Sequence, residues 1–346
     1  MIFNSEYSHL HGNVKIPLLQ FTKKGIYCRQ ADIYIDPWKK VPKALITHAH
    51  SDHARSGHKS YLCTDHTLPI LKLRLGKHIP ASSMAYGDTI RINGVQFSFH
   101  PAGHIIGSAQ IRAEYKGEIW VASGDYKVEN DGISTAFEPI ACHHLITECT
   151  FGLPIYKWSP QSKVFEQINN WWASNASENI TSVITAYSLG KAQRVIQNVD
   201  HSIGPIYTHK AVENINNAFR QINIPISKTH ELTQKISSKE LQGSLVVTPS
   251  SGAESGLLRN AKKVSIASAS GWMMSRGMRR RGNFDRGFVL SDHVDWIGLN
   301  EAIKASGATH VYPTHGYTRS LSKYLKEQGY STQIVETEYE GESGGE

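Results

Sequence analysis

The sequence predicts an α/β protein of two textures, and three observations carry that prediction. Up to about Pro154 the chain is a series of short apolar runs closed by turn residues, the mark of strands joined tightly. From there to about residue 286, strands alternate with amphipathic helical stretches, as in parallel β/α units. The 346 residues, 40% of them apolar, suffice to bury a sizeable core, and the length suggests about two domains.

Residues 31–36 (ADIYID) alternate apolar with polar and stop at Pro37, as a strand does. Residues 43–47 (KALIT) read as a buried strand running straight into His48. A helix is expected over 68–75 and a strand over 95–99. Strands at 111–115 and 118–122 flank Lys116-Gly117, which fits a hairpin turn, and a strand at 145–147 ends at Glu148. Past Pro154, an amphipathic helix spans 164–173, and a strand at 183–185 leads into a helix starting at Gly190. A strand at 206–207 precedes a helix over 212–221, and strands follow at 245–248 and 264–267. The chain closes with a strand at 287–290, a helix at 297–305 and a strand at 309–312. No internal repeat is evident, and the Gly- and Glu-rich residues 340–346 are expected to fray.

Only 19% of residues are charged and no long charged or low-complexity run occurs, which excludes a disordered tail protein and a coiled coil. No stretch approaches the roughly 18 apolar residues of a membrane helix. The opening MIFNSEYSHLHGNVK lacks a signal-peptide pattern, so a cytoplasmic location without membrane partners is expected. The net charge of +7 tilts the expectation towards polyanionic partners. Cys28, Cys63, Cys142 and Cys149 form no CxxC pair and read as reduced, inert thiols. The 18 histidines outnumber the 15 tyrosines and 10 phenylalanines, so their placement decides the function.

His48-Ala49-His50-Ser51-Asp52-His53 sets three imidazoles and a carboxylate just past a strand, where they can turn towards one point. Imidazole and carboxylate suit zinc, and a catalytic zinc keeps a position open for water. His104 follows the strand at 95–99, Asp125 follows the second hairpin strand, and His315 in PTHG follows the last strand. In α/β proteins such strand ends gather functional side chains. Seven donors (His48, His50, Asp52, His53, His104, Asp125 and His315) suit two metals sharing a carboxylate, a clamp fit for in-line displacement at phosphorus.

These residues resemble a known family. HAHSDH matches the HxHxDH signature of the metallo-β-lactamase superfamily, with Asp36, His104 and Asp125 falling in order as its further motifs. Glu148 in ITECTFG, His293 in LSDHVD and His315 in PTHG are similar to the three extra motifs of the β-CASP branch of nucleic-acid nucleases. DIYIDPW, THAHSDHARSGH, AGHIIGSAQ and TECTFGLP further resemble the ligase-associated DNA exonucleases, and the likeness is softer between Pro154 and Gly282.

The resemblance implies an αββα metallo-β-lactamase sandwich made of residues 1–154 and 287–346, with a small β-CASP-type α/β domain inserted at 155–286. It implies two Zn2+ ions, with Mn2+ as the alternative. His48, His50 and His104 would hold one; Asp52, His53 and His315 would hold the other; Asp125 would bridge, and Asp36 would support the loop without ligating. Asp36 by itself reads as a turn residue before proline, and only the resemblance raises it above that. Asp52 would orient the attacking water, His293 would act as general acid, and Glu148 would fix it. The rival explanation of 291–293 is a helix cap, since Ser291 or Asp292 is a good N-cap. The activity implied is DNA cleavage, as an exonuclease in repair, with a DNA ligase or helicase as partner by family association.

Two turns could receive phosphates: Ser188 and Lys191 at a strand-to-helix junction, and Ser250-Ser251 at another. Ordinary β/α turns explain both equally well. Arg279-Arg280-Arg281, with Arg276 and Arg286 nearby, is the densest basic cluster, and Trp272 upstream could stack on a base. A solvated basic loop is the competing explanation. His58, His66, His78 and His100 belong to no motif and read as surface or supporting residues. The rivals to a DNA nuclease are an RNA-processing nuclease with the same site and a small-molecule metallo-hydrolase.

Overall fold

Three hydrogen-bonded sheets carry the computed structural model, which describes residues 16–338 apart from 254, 255 and 283. The expectations for residues 1–15 and 340–346 lie outside the described residues. The first sheet runs Leu19–Thr22, Gly25–Cys28, Ile33–Ile35, Ala44–Leu45, Tyr61–Thr64, Ala81–Met84, antiparallel over the first three strands and parallel afterwards. The second runs Thr89–Ile92, Val95–Pro101, Ala109–Tyr115, Glu118–Ala122, His144–Cys149, His310–Gly316, Ser331–Thr332. It is antiparallel up to Glu118–Ala122 and parallel beyond.

The two sheets face each other across one apolar core. Ile35 and Leu45 from the first meet Phe97, Phe99, Ile111 and Trp120 from the second. Strand alternation sends neighbouring residues to opposite faces, so Trp120 and Ala122 enter this core while Val121 points outward. That outer face is covered by the helices Trp296–Ser306 and Thr318–Glu327 through Leu299, Ile303, Leu321 and Leu325. The helix Leu68–Leu75, at the residues the sequence predicts, covers the outer face of the first sheet with Leu71. The layers are therefore helix, sheet, sheet, helix. The expected hairpin forms with Lys116 at φ +50° and Gly117 at φ +79°, the left-handed pair a type I′ turn requires.

The third sheet is wholly parallel, in the order His230–Glu231, Ile206–Thr208, Leu245–Thr248, Thr181–Thr185, Val264–Ala269, Arg286–Phe288. The central strands TSVIT and LVVT are buried along their length, as parallel strands covered on both faces are. Helices Gln161–Ser177 and Lys191–Asn198 supply Phe165, Ile168, Trp172, Val195 and Ile196 to one face. The last strand ends at Phe288 rather than 290, and Leu290 is buried beyond it. The basic run is not a loop: Arg276–Arg281 is helical, with Arg279 and Arg280 exposed. All strands of this sheet point the same way, so the turns after them share one edge, and that edge faces the loops at His48 and His104.

Candidate metal centre

Strand ends of both face-to-face sheets deliver the candidate ligands. His48 to His53 occupy the loop after Ala44–Leu45, and Ala109 donates its N–H to the Thr47 carbonyl at 2.8 Å, tying that loop to the second sheet. His104 sits in the tight connection between Val95–Pro101 and Ala109–Tyr115, where Gly103 at φ +73° lies so close to Lys127 that a Cβ would stand 2.2 Å from its carbonyl oxygen. Asp125 follows Glu118–Ala122.

The hydrogen bonds around the ring dictate each histidine tautomer. The Leu189 carbonyl can only accept, so His50 donates Nε2–H to it at 3.0 Å and keeps a lone pair on Nδ1. His104 donates Nδ1–H to the Asp292 carbonyl at 2.8 Å and keeps its lone pair on Nε2. The Thr47 hydroxyl donates to Asp36 at 2.5 Å, so its oxygen accepts Nδ1–H from His48 at 3.0 Å, which leaves the lone pair of His48 on Nε2. His53 donates Nδ1–H to Asp36 at 2.8 Å.

The lone pairs of three rings thus point at one another. His48 Nε2 and His104 Nε2 lie 3.1 and 3.2 Å from His50 Nδ1. Asp125 Oδ2 stands 3.5 Å from His48 Nε2 and 3.8 Å from His104 Nε2. A tetrahedral ion with metal–nitrogen bonds of about 2.0–2.1 Å sets its donors about 3.3 Å apart, so this set fits a divalent metal. His53 Nε2 faces the other Asp125 oxygen at 3.4 Å and Asp52 Oδ2 at 3.7 Å, which gives Asp125 a partner on either side. The His/Asp cluster suggests a site for two metals.

Burial pushes His48, His50 and His104 down from the ordinary imidazole value, so they are neutral rings with lone pairs to offer. For His53 burial acts in the same direction, but Asp125 and Asp52 outweigh it and raise its value well above the ordinary one. Burial would raise Asp125, yet His53 and His293 hold its carboxyl well below the usual range.

Glu148, buried in its strand, accepts N–H from Tyr126 at 2.8 Å, the hydroxyl of Thr150 at 2.6 Å, and Nδ1–H of His293 at 2.9 Å. The donor atoms of Asp125, Glu148 and His293 lie within 4.8 Å of one another, as do those of His48, His50, His104 and Asp125. His315 lies outside both groups; it is the penultimate residue of its strand, at φ +54°, with its carbonyl accepting from Cys149 Sγ at 3.1 Å.

Four substrate candidates make contacts within the protein. Lys191 is buried, with Nζ 3.7 Å from Asp292 Oδ2. Ser188 is buried as well, and the helix start beside it is capped by Gln193, which accepts the Gly190 N–H at 2.7 Å. Arg279 turns back to donate to the Met273 carbonyl. Trp272 packs on Phe151 with centroids 4.8 Å apart rather than standing clear. Ser250 and Ser251 are exposed on the edge of the third sheet that faces the metal centre; the Arg281 side chain lies outside what is described. Of the unplaced histidines, His66 and His78 are exposed, while His58 is buried.

Sequence reasoning missed the groups that orient the rings: the Thr47 hydroxyl and the carbonyls of Leu189 and Asp292. A hydroxyl directly before HxH is a readable signal for the first; main-chain carbonyls carry none. The four cysteines are free and buried, and burial raises Cys63 to about 12 and Cys142 to about 11, which fits inert thiols.

No family model matches the chain. A "Probable DNA ligase" of Opitutus terrae is 28% identical over 311 residues, covering 88% of this chain and 30% of that protein. An "Endoribonuclease YSH1" of Eremothecium gossypii is 26% identical over 155 residues, 44% of this chain and 19% of that protein. An "RNase J-like protein" of Methanocaldococcus jannaschii is 27% identical over 204 residues, 49% of this chain and 48% of that protein. The chain therefore spans less than a third of the first two relatives and about half of the third. A protein of unknown function from Enterococcus faecalis V583 superposes with a TM-score of 0.53 at 12% identity over 86% of this chain and 80% of that one, a likeness of fold alone. The named relatives support the metallo-β-lactamase superfamily and its β-CASP branch. Among the described residues no helix is long and apolar enough to cross a membrane.

Proposed function

We propose that this chain is a metal-dependent phosphodiesterase that cleaves nucleic acid, and specifically a DNA exonuclease of the ligase-associated type acting in repair. The observation that carries the hydrolytic reading is the convergence of three neutral imidazole lone pairs and the Asp125 carboxylate on one point, each ring turned by an acceptor on its far side. His48, His50 and His104 would hold one ion, and Asp52, His53 and His315 the other, with Asp125 between them; zinc is the ion this donor set favours, with manganese the alternative. Ions bound there supply Lewis acidity at the phosphate and an acidified water.

The chain's own groups account for the proton transfers. Asp52, whose side chain is 12% exposed, would take a proton from the attacking water. His293 has Nδ1–H committed to Glu148, so a protonated His293 presents Nε2–H to the departing oxygen. Glu148 is itself held by Tyr126 and Thr150, which fixes the ring it orients. Ser250, Ser251 and the exposed Arg280 are the substrate contacts we carry forward. The layered sheets and the parallel sheet would form the two domains, with the cleft between them taking the strand.

DNA is favoured over RNA because the relative named as a DNA ligase aligns with 88% of this chain, against 44% for the endoribonuclease. The names of the remaining relatives favour the ribonuclease reading. Digesting matched DNA and RNA strands, labelled at either end, with zinc or manganese separates them: shortened DNA ladders with intact RNA are expected, and the reverse pattern selects the ribonuclease. No cleavage of either overturns both.

A further inference from the structure

We infer that the rim of the first sheet beside the metal centre is a track for a nucleic-acid backbone, and that Glu338 of the same chain lies across it in the free protein. The inference rests on the nucleic-acid reading above and adds to it where the strand leaves the site.

The rim is basic and built from three adjoining pieces. Lys23 and Lys24 form the turn before Gly25–Cys28, and Trp38 pins that turn by donating N–H to the Lys24 carbonyl at 3.1 Å and Nε1–H to the Lys23 carbonyl at 2.9 Å. Lys39 and Lys40 follow Trp38, and Lys40 lies against Gly57. Arg55 comes two residues after His53. All four lysines are exposed. Asp36, beneath the metal loop, directly follows the strand Ile33–Ile35 next to this turn, so these cations line the same sheet edge as the candidate ligands.

A segment from the other sheet already occupies part of the rim. Val335 donates N–H to the Pro313 carbonyl at 3.1 Å, two residues before His315, and is buried. Three residues later the Glu338 carboxylate meets Lys39 Nζ at 2.7 Å, and the Glu338 carbonyl accepts from Arg55 Nη2 at 3.1 Å. The segment thus crosses from the His315 side of the site to the His53 side. Its carboxylate and carbonyl oxygens stand where phosphate oxygens would be received. The Lys39–Glu338 side chains are 55% and 49% exposed, and an ion pair so solvated is readily exchanged for another anion. Arg55 Nε is buried with no acceptor among the described residues, which leaves a donor for a second oxygen. The spacing of cations along one edge suits a polyanion better than a single phosphate.

The test is equilibrium binding of labelled single-stranded DNA by anisotropy, in EDTA so that nothing is cut, across a salt titration. In Lys39→Ala/Arg55→Ala the slope of log K against log salt should shrink by about 1.4, at about 0.7 per phosphate contact on a single strand. The charge-keeping pair Lys39→Arg/Arg55→Lys should retain the wild-type slope, which separates lost contacts from misfolding. Glu338→Gln should tighten binding about two- to fivefold at low salt, the worth of an exposed pair. An unchanged slope in the alanine variant overturns the track; unchanged or weaker binding by Glu338→Gln overturns the self-occupancy. Wild-type protein that binds with the expected slopes but cuts nothing with zinc or manganese sinks the nuclease reading and leaves the track standing.

Discussion

At the residue scale, the site works by turning rings, and an imidazole is useful only with the right nitrogen bare. Thr47 shows the economy of this: one hydroxyl gives its proton to Asp36 and takes one from His48, so a single side chain sets the ring that heads the metal loop. His58, in the same region, is the opposite case, a histidine kept neutral for packing. Its Nδ1 accepts the Val41 N–H at 3.3 Å, its ring lies on Tyr61, and burial holds it down to about 4. An unfolded histidine takes its proton near 6.5, so between about 6.5 and 4 the unfolded chain binds more protons than the folded one. His58 therefore contributes its full stability above about 6.5 and loses it as pH falls towards 4. Urea unfolding at several pH values should show this decline, and His58→Gln, which keeps an acceptor but cannot titrate, should flatten it by about one proton. Identical pH slopes in the two proteins would refute the account. His58 also marks a limit of reading: nothing in RSGHKS tells a buried ring from an exposed one, whereas the alternation of HAHSDH makes that cluster legible at sight.

At the element scale, legibility followed the strength of local signals. The helix Leu68–Leu75 and the strand Leu245–Thr248 fall where the sequence places them, because turn residues bracket both. The helix Thr318–Glu327 escaped notice since TRSLSKYLKE sends only Leu321 and Leu325 to the core besides Ser322, too sparse a stripe to read. Strand Thr89–Ile92 escaped for a different reason: TIRI is a four-residue edge strand with no buried residue, and so short an alternation carries little signal. Connections matter as much as strands. Gly103 and Gly117 both have positive φ, +73° and +79°, but a Cβ at Gly117 meets nothing within 4 Å while one at Gly103 would collide with backbone. Gly117→Ala should cost about 1 kcal/mol, from conformation alone. Gly103→Ala should cost about 3 kcal/mol or more and displace His104 as well. Urea midpoints compare the two directly; equal losses would mean that the loop holding His104 yields without resistance.

At the scale of the whole molecule, the question is what holds the parallel sheet against the paired sheets so that the ring of donors closes. The seam is Asp292. Its carboxylate, 4% exposed, lies 3.2 Å from Arg194 Nη1 and 3.7 Å from Lys191 Nζ, both on the helix Lys191–Asn198, while its carbonyl takes the His104 proton. Burial would raise the acid, but Lys191 and Arg194 hold it ionised. Arg194 also donates to the Ser291 carbonyl at 2.6 Å, next to the segment that carries His293. None of this was legible beforehand, because it depends on residues about a hundred positions apart and because the lysine looked like an anion receiver. Asp292→Asn keeps the shape but strands two buried cations, and should destabilise by about 3–5 kcal/mol. Adding Lys191→Met removes one of those cations and should restore part of the loss, a coupling that a double-mutant cycle in urea measures. If the two substitutions are additive, Asp292 is not the joint, and the packing of Ile105 and Ile106 on Leu189 and Ile215 must hold the lobes together instead.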